Sequence, residues 1–260
     1  MKLSDSVDGM FNLDSIFWPI LFIKFFSESK YRDEFIKGNI YSNTFDYMVQ
    51  CEKEEGKGRG AAYEGISVLS NVHLKFHPQN SDKVLFEASV GKDGLTSKIN
   101  GSEKMHMFCT TGVSANWFEI TEKSDKQIKC KLSIPTEFEA QMKESFGQYV
   151  VVYPAADFIN QLEKVVKENN LYVTHDKVKY LDYSVNPSER IQSFSSGNPD
   201  FYFQKDIYFA PQEEYRFVFP TLLSEKAEVI KLGSKINYIK DIQTIDDLIK
   251  FDGGLVIEAK

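Results

Sequence analysis

The segment Lys205–Pro220 alternates hydrophobic and polar residues in the way that a β-strand requires. Glu214, Arg216 and Val218 fall on one face, and Tyr215, Phe217 and Phe219 fall on the other. The pattern predicts a strand over Tyr208–Phe219 that places Gln212, Glu214 and Arg216 on the same side. Such a strand either borders a polar site or is a half-solvated edge of a sheet.

The first fifty residues alternate between strand and helix patterns. The sequence predicts a polar lead-in over 1–15, a strand over Ile16–Phe26, a helix over Lys30–Lys37 and a second strand over Asn39–Val49. Ser27 or Ser29 is a suitable helix N-cap, and Gly38 is a suitable helix end. The predicted order is therefore strand, short helix, strand.

The rest of the chain is predicted as short strands with a few helices. The strands are Ile66–Phe76, Val84–Val90, Leu95–Asn100, Lys104–Thr111, Trp117–Glu119, Gln127–Ser133, Tyr149–Tyr153, Val178–Tyr183, Val229–Leu232 and Leu255–Glu258. The helices are Phe138–Phe146, Ala155–Asn169 and Asp241–Lys250, and 186–200 is predicted to be flexible. Because no regular βαβ repetition occurs, we expect one α+β domain over 1–260 with a mostly antiparallel sheet.

The segment Glu52–Gly65 is rich in charge and glycine. Its glycines, Gly56, Gly58 and Gly60, are spaced as in a phosphate-binding loop, but no Gly-Lys-Ser/Thr follows and no βαβ unit surrounds them. The pattern therefore favours a mobile loop over a nucleotide-binding one. Arg59 and Glu64 would reach a site if this loop folds over it.

Composition narrows the class of protein. The chain has 260 residues, 42% of them hydrophobic, and a formal charge of −7. Its longest apolar run, Ile16–Ile23, is shorter than the roughly 18 to 20 residues of a membrane span, and the N-terminus is too acidic for a secretory signal. Three scattered cysteines favour neither disulfides nor structural zinc, so we expect a cytoplasmic protein. Interspersed charges and the acidic total disfavour generic nucleic-acid binding.

Histidine and cysteine patterns predict no metal site and no nucleophile. His73 and His77 are four residues apart, but Val72–Phe76 reads as a strand and Pro78 follows, so they do not share a helix face. Cys109 lies in an apolar strand, where a free cysteine behaves as a small hydrophobic residue. We therefore expect structural roles for these side chains.

Three motifs together resemble the ADP-ribosyltransferase family. They are the opening strand with Lys24 and the helix end at Gly38, the strand Phe108-Cys109-Thr110-Thr111, and Gln212-Glu213-Glu214. That family has a basic residue on its first strand, a Ser-Thr-Ser-like strand and a Gln/Glu-x-Glu strand. The chain is also similar to uncharacterised, often defence-associated bacterial proteins that end in Glu-x-Glu-(Tyr/Trp)-Arg, matched here by Gln212-x-Glu214-Tyr215-Arg216.

The resemblance implies NAD-dependent ADP-ribosyl transfer to an unknown macromolecular acceptor, in bacterial or phage conflict. Glu214 would stabilise the positive charge that develops as nicotinamide leaves, and Gln212 would orient the acceptor. The residues that would bind NAD are Lys24, Cys109, Thr110, Arg59 and Arg216. Of these, Thr110 or Cys109 would replace the serine that holds the glutamate in that family. Two departures favour a degenerate site: lysine replaces the expected Arg or His, and the middle motif begins with cysteine and lacks a second serine.

Each of these residues also has a structural interpretation. Glu214 and Arg216 are two apart on one strand face, as in an ordinary solvated charge pair. Thr110 is a common strand former, and Lys24 is equally consistent with a solvent-facing strand position. The alternative function is therefore a catalytically inactive interaction or inhibitor protein on the same fold, with a protein partner.

Overall fold

The computed structural model of the chain describes residues 1–6, 18–55, 63–91, 94–196 and 199–258. These residues form a mixed α+β structure in which most strand pairs are antiparallel, as the sequence predicts. Arg59, Gly56, Gly58 and Gly60 lie outside the described residues.

The α-helices in these ranges are α1 (Ser29–Ile36), α2 (Phe45–Glu55), α3 (Thr136–Ser145), α4 (Ala155–Glu168), α5 (Ser188–Ser196) and α6 (Ile245–Lys250). The strands are β1 (Leu21–Phe26), β2 (Asn39–Thr44), β3 (Ser67–Leu69), β4 (Val72–Phe76), β5 (Phe86–Val90), β6 (Leu95–Ser97), β7 (Met105–Val113), β8 (Phe118–Lys123), β9 (Gln127–Leu132), β10 (Tyr149–Pro154), β11 (Thr174–Lys177), β12 (Lys179–Leu181), β13 (Gln204–Asp206), β14 (Glu214–Leu223), β15 (Glu228–Lys231) and β16 (Gly254–Glu258). Short 3₁₀ helices lie at Leu3–Ser6, Ser102–Lys104, Ala115–Trp117, Pro199–Phe203 and Ile207–Gln212.

Strand β7 is the centre of the main sheet. In the described part of the chain this sheet has seven strands, with the path β10-β1-β7-β14-β11 and with β2 joining β7 to β15. One end of β7 pairs with β1 and the other end pairs with β2, while β14 runs along its opposite edge. The three strands that carry the motifs of the predicted site, β1, β7 and β14, are therefore neighbours.

Three hydrophobic clusters surround this sheet. On one face, α1 and α4 cover aromatic residues of β1, β7, β10 and β14: Phe22, Phe108, Tyr153, Tyr215 and Phe217. On the other face of β1 and β10, a second cluster includes the small sheet β8-β9-β16 with α3 and α6. A third cluster lies on the other face of β7 and β14: Phe45, Met107, Phe201, Tyr202, Phe203 and Val218.

Strand β14 has the predicted alternation but a different start and a different environment. Tyr215 and Phe217 face the α4 side, whereas Glu214 and Arg216 face the opposite side, and all four are buried. The interpretation as a half-solvated edge is wrong, because β14 lies between β7 and β11. The strand does not start at Tyr208, because Ile207–Gln212 form a 3₁₀ helix capped by Asp206.

The opening unit is confirmed in its order, with corrections to the helix N-cap and to the end of the second strand. The N-cap of α1 is Glu28, which makes no side-chain cap hydrogen bond, so neither Ser27 nor Ser29 is the cap. Gly38 follows the end of α1 as predicted, at φ +91°, where a Cβ would collide with the Ser234 carbonyl oxygen. Strand β2 ends at Thr44, because the Thr44 hydroxyl accepts a hydrogen bond from Tyr47 N (3.1 Å) and α2 begins there.

The first described residues pack against the fold instead of forming a lead-in. Leu3 is buried in the second cluster, and Lys2 pairs in backbone and side chain with Glu119 of β8. Residues 7–17, which include the rest of the predicted lead-in and the start of the predicted first strand, lie outside the described residues. The described part of that strand begins at Leu21.

Two predicted loops have more structure than their composition indicates. Within 186–200, Ser188–Ser196 form α5, and the buried Arg190 donates to the Val185 carbonyl oxygen (2.6 Å) and to that of Val68. Within Glu52–Gly65, α2 continues to Glu55, and Tyr63–Gly65 form a turn that buries Glu64. The prediction of a mobile loop is therefore wrong at both described ends, and residues 56–62 lie outside the described ranges.

Candidate functional site

The Glu214 carboxylate lies between two cations at the start of β14. Lys205 Nζ donates to Glu214 Oε2 (2.9 Å), and Arg216 Nε donates to Glu214 Oε1 (2.8 Å). Lys205 comes from β13, and Arg216 is two residues further along the same face of β14. Only 8% of the Glu214 side chain is exposed to solvent. Both oxygens of the predicted catalytic carboxylate are therefore engaged by cationic partners.

Glu64 is the second carboxylate of this cluster. Its Oε2 lies 2.8 Å from Arg216 Nη1, and its Oε1 lies 3.4 Å from Lys205 Nζ. Neither Glu64 oxygen has hydrogen-bond geometry, so these contacts are ion pairs and not hydrogen bonds. Two acids and two cations make the buried charged cluster, defined as Glu64, Lys205, Glu214 and Arg216, electrically neutral.

Polar groups around the buried charged cluster fix its orientation. Lys205 Nζ also donates to Gln212 Oε1 (3.0 Å), and Arg216 Nη1 donates to the Tyr202 carbonyl oxygen (2.6 Å). The Tyr180 hydroxyl accepts a hydrogen bond from the backbone N–H of Glu214 (2.8 Å). Gln212 thus converges with Glu214 as predicted, although it does so from the 3₁₀ helix and not from the strand.

The charges of the cluster set the ionisation of its members. Burial alone would raise the pKa of Glu214, but Arg216 and Lys205 hold that pKa well below its ordinary value. Burial alone would lower the pKa of Lys205, whereas Glu214 and Glu64 raise it above the ordinary value. The pKa of Arg216 is raised in the same way against the effect of burial. These three groups are therefore ionised at neutral pH.

Cys109 belongs to the same face of the sheet. It lies opposite Arg216 in the register of β7 and β14, which places its side chain on the face that carries Glu214. Burial and the neighbouring negative charge of Glu214 raise the pKa of this thiol far above its ordinary value. A thiol in this state is a poor nucleophile. Cys109 therefore lies on the face of β7 where the family's serine would hold the glutamate.

We expect Cys109 to resist thiol reagents because its thiolate form is strongly disfavoured. At pH 8 the folded protein should react with dithionitrobenzoate at least tenfold more slowly than the urea-unfolded chain, whose three cysteines are accessible. Peptide mapping after a short pulse of iodoacetamide identifies the modified residue. Rapid labelling of Cys109 in the folded protein would contradict this assignment.

Lys24 and Thr110 lie on the other side of β7. Lys24 Nζ donates to the Cys109 carbonyl oxygen (2.6 Å) and lies 4.7 Å from the centroid of the Phe108 ring. The Thr110 hydroxyl donates to the Ile23 carbonyl oxygen (2.9 Å) and accepts a hydrogen bond from Tyr153 (3.0 Å). Thr110 therefore does not hold the Glu214 carboxylate, and the basic residue of the first strand lies with the aromatic core.

Sequence reasoning missed two contributors to the site. Lys205 precedes Glu214 by nine residues and belongs to another strand, so no periodicity links them. Thr111, opposite Glu214 in the strand register, donates to the Gln212 carbonyl oxygen (3.0 Å) and holds the 3₁₀ segment against β7. Glu64 was expected to reach a site only if its loop folded over, and its side chain does reach the cluster.

Comparison of this chain with protein-family models, curated proteins and solved structures finds no match. The resemblance to ADP-ribosyltransferases therefore stays a prediction. Within the described ranges, no group of three or more His, Cys, Asp or Glu side chains is placed to hold a metal ion. No helix of the described residues is long and apolar enough to cross a membrane.

Proposed function

We propose that this chain is a binding protein that acts without catalysis, and that Glu214 is a structural residue of its core. The observation that carries the proposal is the closure of the Glu214 carboxylate by Lys205 and Arg216. A carboxylate that stabilises a reacting sugar must contact it. Here a ligand would first have to displace two buried cationic partners.

The placement of the other motif residues supports the same proposal. Lys24 and Thr110, which an NAD site would need beside Glu214, contact Phe108 and Tyr153 in the aromatic core. Cys109 and Gln212 do lie on the side of the carboxylate, but Gln212 accepts a hydrogen bond from Lys205, and burial keeps the Cys109 thiol protonated. The arrangement thus favours the inactive interaction or inhibitor protein, with a protein partner, over the transferase.

ADP-ribosyl transfer is the second candidate, and one observation favours it. The three motif strands β1, β7 and β14 are adjacent, and Lys205 links Gln212 to Glu214. For this activity the buried charged cluster would have to open. Glu214 would then leave Lys205 and contact the ribose of NAD, and Gln212 would leave Lys205 and contact the acceptor.

Incubation with NAD separates the two candidates. We expect no release of nicotinamide and no heat of binding at millimolar NAD, because Glu214 is closed to ligands. Chromatographic detection of nicotinamide and calorimetric titration measure these results for the wild type and for Glu214→Gln. Turnover by the wild type that falls about 10²- to 10³-fold in a stably folded Glu214→Gln protein would establish the transferase and overturn the proposal.

A further inference from the structure

A β-hairpin made of β4 and β5 extends from the fold between β3 and β6. Its register places Val72 opposite Val90, Leu74 opposite Ala88, and Phe76 opposite Phe86. Because directly opposed residues share a face, these six side chains form one apolar face. The hairpin therefore has a sheet face of the kind that normally packs against a core.

The apolar face is exposed at the hairpin tip. Phe76 and Phe86 are 50% and 59% exposed, and their ring centroids lie 5.5 Å apart. Leu85, beside them, is 63% exposed. The opposite face is polar, and its side chains contact one another: Glu87 lies 3.6 Å from Lys75 and 3.3 Å from His73. An exposed contiguous apolar patch of this kind marks an interaction surface.

The outer edge of β5 is open to a further strand. In the described part of the chain β5 pairs with β4 and with no other strand. The residues Phe86-Glu-Ala-Ser-Val90 contain no proline and no lysine, the usual protection of an edge. Asn71 N donates to the Gly91 carbonyl oxygen (3.0 Å), and strict alternation from there directs the N–H of Ala88 outward.

We propose that β5 pairs antiparallel with β5 of a second copy of this chain, which makes a four-stranded sheet across a two-fold axis at Ala88. This register places Phe86 opposite Val90 of the partner, an aromatic and β-branched pair of the stabilising kind. It places Glu87 opposite the uncharged Ser89 of the partner. The two apolar faces then join into one surface of twelve side chains.

The distribution of charge favours the edge of β5 over that of β4, and a second copy of this chain as its partner. Pairing of β4 with its own copy about Leu74 would place His73 opposite Lys75, so that two basic side chains face each other. Residues 71–91 contain two lysines and two acids, so the hairpin is neutral although the chain carries −7. It is therefore a segment on which two copies meet without net repulsion.

The size of the contact sets the expected affinity. Five residues of β5 span about 17 Å, so the paired edges bury less than the roughly 1,000 Å² of a stable interface. We therefore expect a reversible dimer with a dissociation constant in the range of about 10 to 200 μM. A stable dimer at nanomolar concentration would need a larger surface than this hairpin offers.

Sedimentation velocity from 5 to 500 μM tests the pairing with the full chain. The wild type should shift from monomer to dimer across this range, and Ala88→Pro, which removes the outward N–H, should stay monomeric. Phe86→Ser should weaken the dimer at least tenfold. If Ala88→Pro has a lower melting temperature than the wild type, Phe86→Ser is the variant that tests the pairing. Tyr172→Ser, which removes an exposed aromatic side chain elsewhere, should dimerise like the wild type.

The proposal is overturned if the wild type stays monomeric at 500 μM, if Ala88→Pro and Phe86→Ser dimerise as the wild type does, or if species larger than a dimer form. Larger species would indicate head-to-tail pairing of β4 with β5, which does not close. None of these outcomes depends on Glu214, so the test is independent of the proposed function.

Discussion

Glu214→Gln is expected to lower the free energy of unfolding by about 3–5 kcal/mol. The substitution keeps the shape of the side chain but leaves Lys205 and Arg216 with only Glu64, so that one positive charge is buried without a counterion. Removing one partner of a buried ion pair has a cost of this size. Urea unfolding followed by circular dichroism measures the change.

The adjacent residue provides a matched control. The Glu213 side chain is 33% exposed and lies 2.9 Å from Lys177, so Glu213→Gln should cost less than about 1 kcal/mol. A loss below about 1 kcal/mol for Glu214→Gln as well would mean that Glu214 is not part of the stabilising core.

Acidification should narrow the difference between Glu214→Gln and the wild type. Because the folded pKa of Glu214 is depressed below 4.5, the ionised carboxylate stabilises the fold above that pH. This contribution is lost as the pH falls through the folded pKa, whereas the glutamine variant lacks it throughout. Urea unfolding repeated from pH 7 down to pH 3 therefore should show the two proteins converging.

Phe158→Ala is expected to cost about 3–5 kcal/mol, the other large effect. Phe158 of α4 is 1% exposed, and its ring lies within 6.2 Å, centroid to centroid, of five others: Phe22, Phe35, Phe108, Tyr153 and Phe217. Truncation to alanine leaves a cavity at the point where α4 meets the sheet. The same urea unfolding experiment measures the loss.

Two variants bracket the Phe158 result. Phe158→Leu retains most of the apolar volume and should cost clearly less than the alanine variant. Phe76→Ala removes an aromatic side chain that is 50% exposed and should change the stability of the monomer by less than about 1 kcal/mol. If Phe158→Ala were no worse than Phe76→Ala, the aromatic cluster under α4 would not be the centre of the fold.

The parts of the fold that follow from local periodicity could be predicted from the sequence. The amphipathic pattern of 155–169 gives α4 and its buried face, and the alternation after Glu214 gives the two faces of β14. Gly38 ends the first helix as expected because the backbone there needs a positive φ. Each of these features is local, because the residues that determine it are close together in the sequence.

The environment of the site could not be predicted in this way. The alternation on β14 is the same for a solvated pair and for a buried cluster, and the difference depends on Lys205 and Glu64, which arrive from other segments. Thr110 and Cys109 are adjacent, so their side chains point to opposite faces of β7. The sequence does not indicate which of these two faces carries Glu214. The 3₁₀ helix before Glu213 was predicted as part of the strand because its aromatic residues are also common in strands.

A double-mutant cycle between Glu214 and Lys205 tests the central claim, that this carboxylate is a structural partner of buried cations. Glu214→Gln and Lys205→Met each leave a net charge in the cluster, whereas the double variant leaves only the Arg216 and Glu64 pair and is again neutral. Urea unfolding of the four proteins should give a coupling free energy of about 2–3 kcal/mol, against less than about 1 kcal/mol for the exposed Glu213 and Lys177 pair. Additive losses for Glu214 and Lys205, with no coupling, would contradict the account.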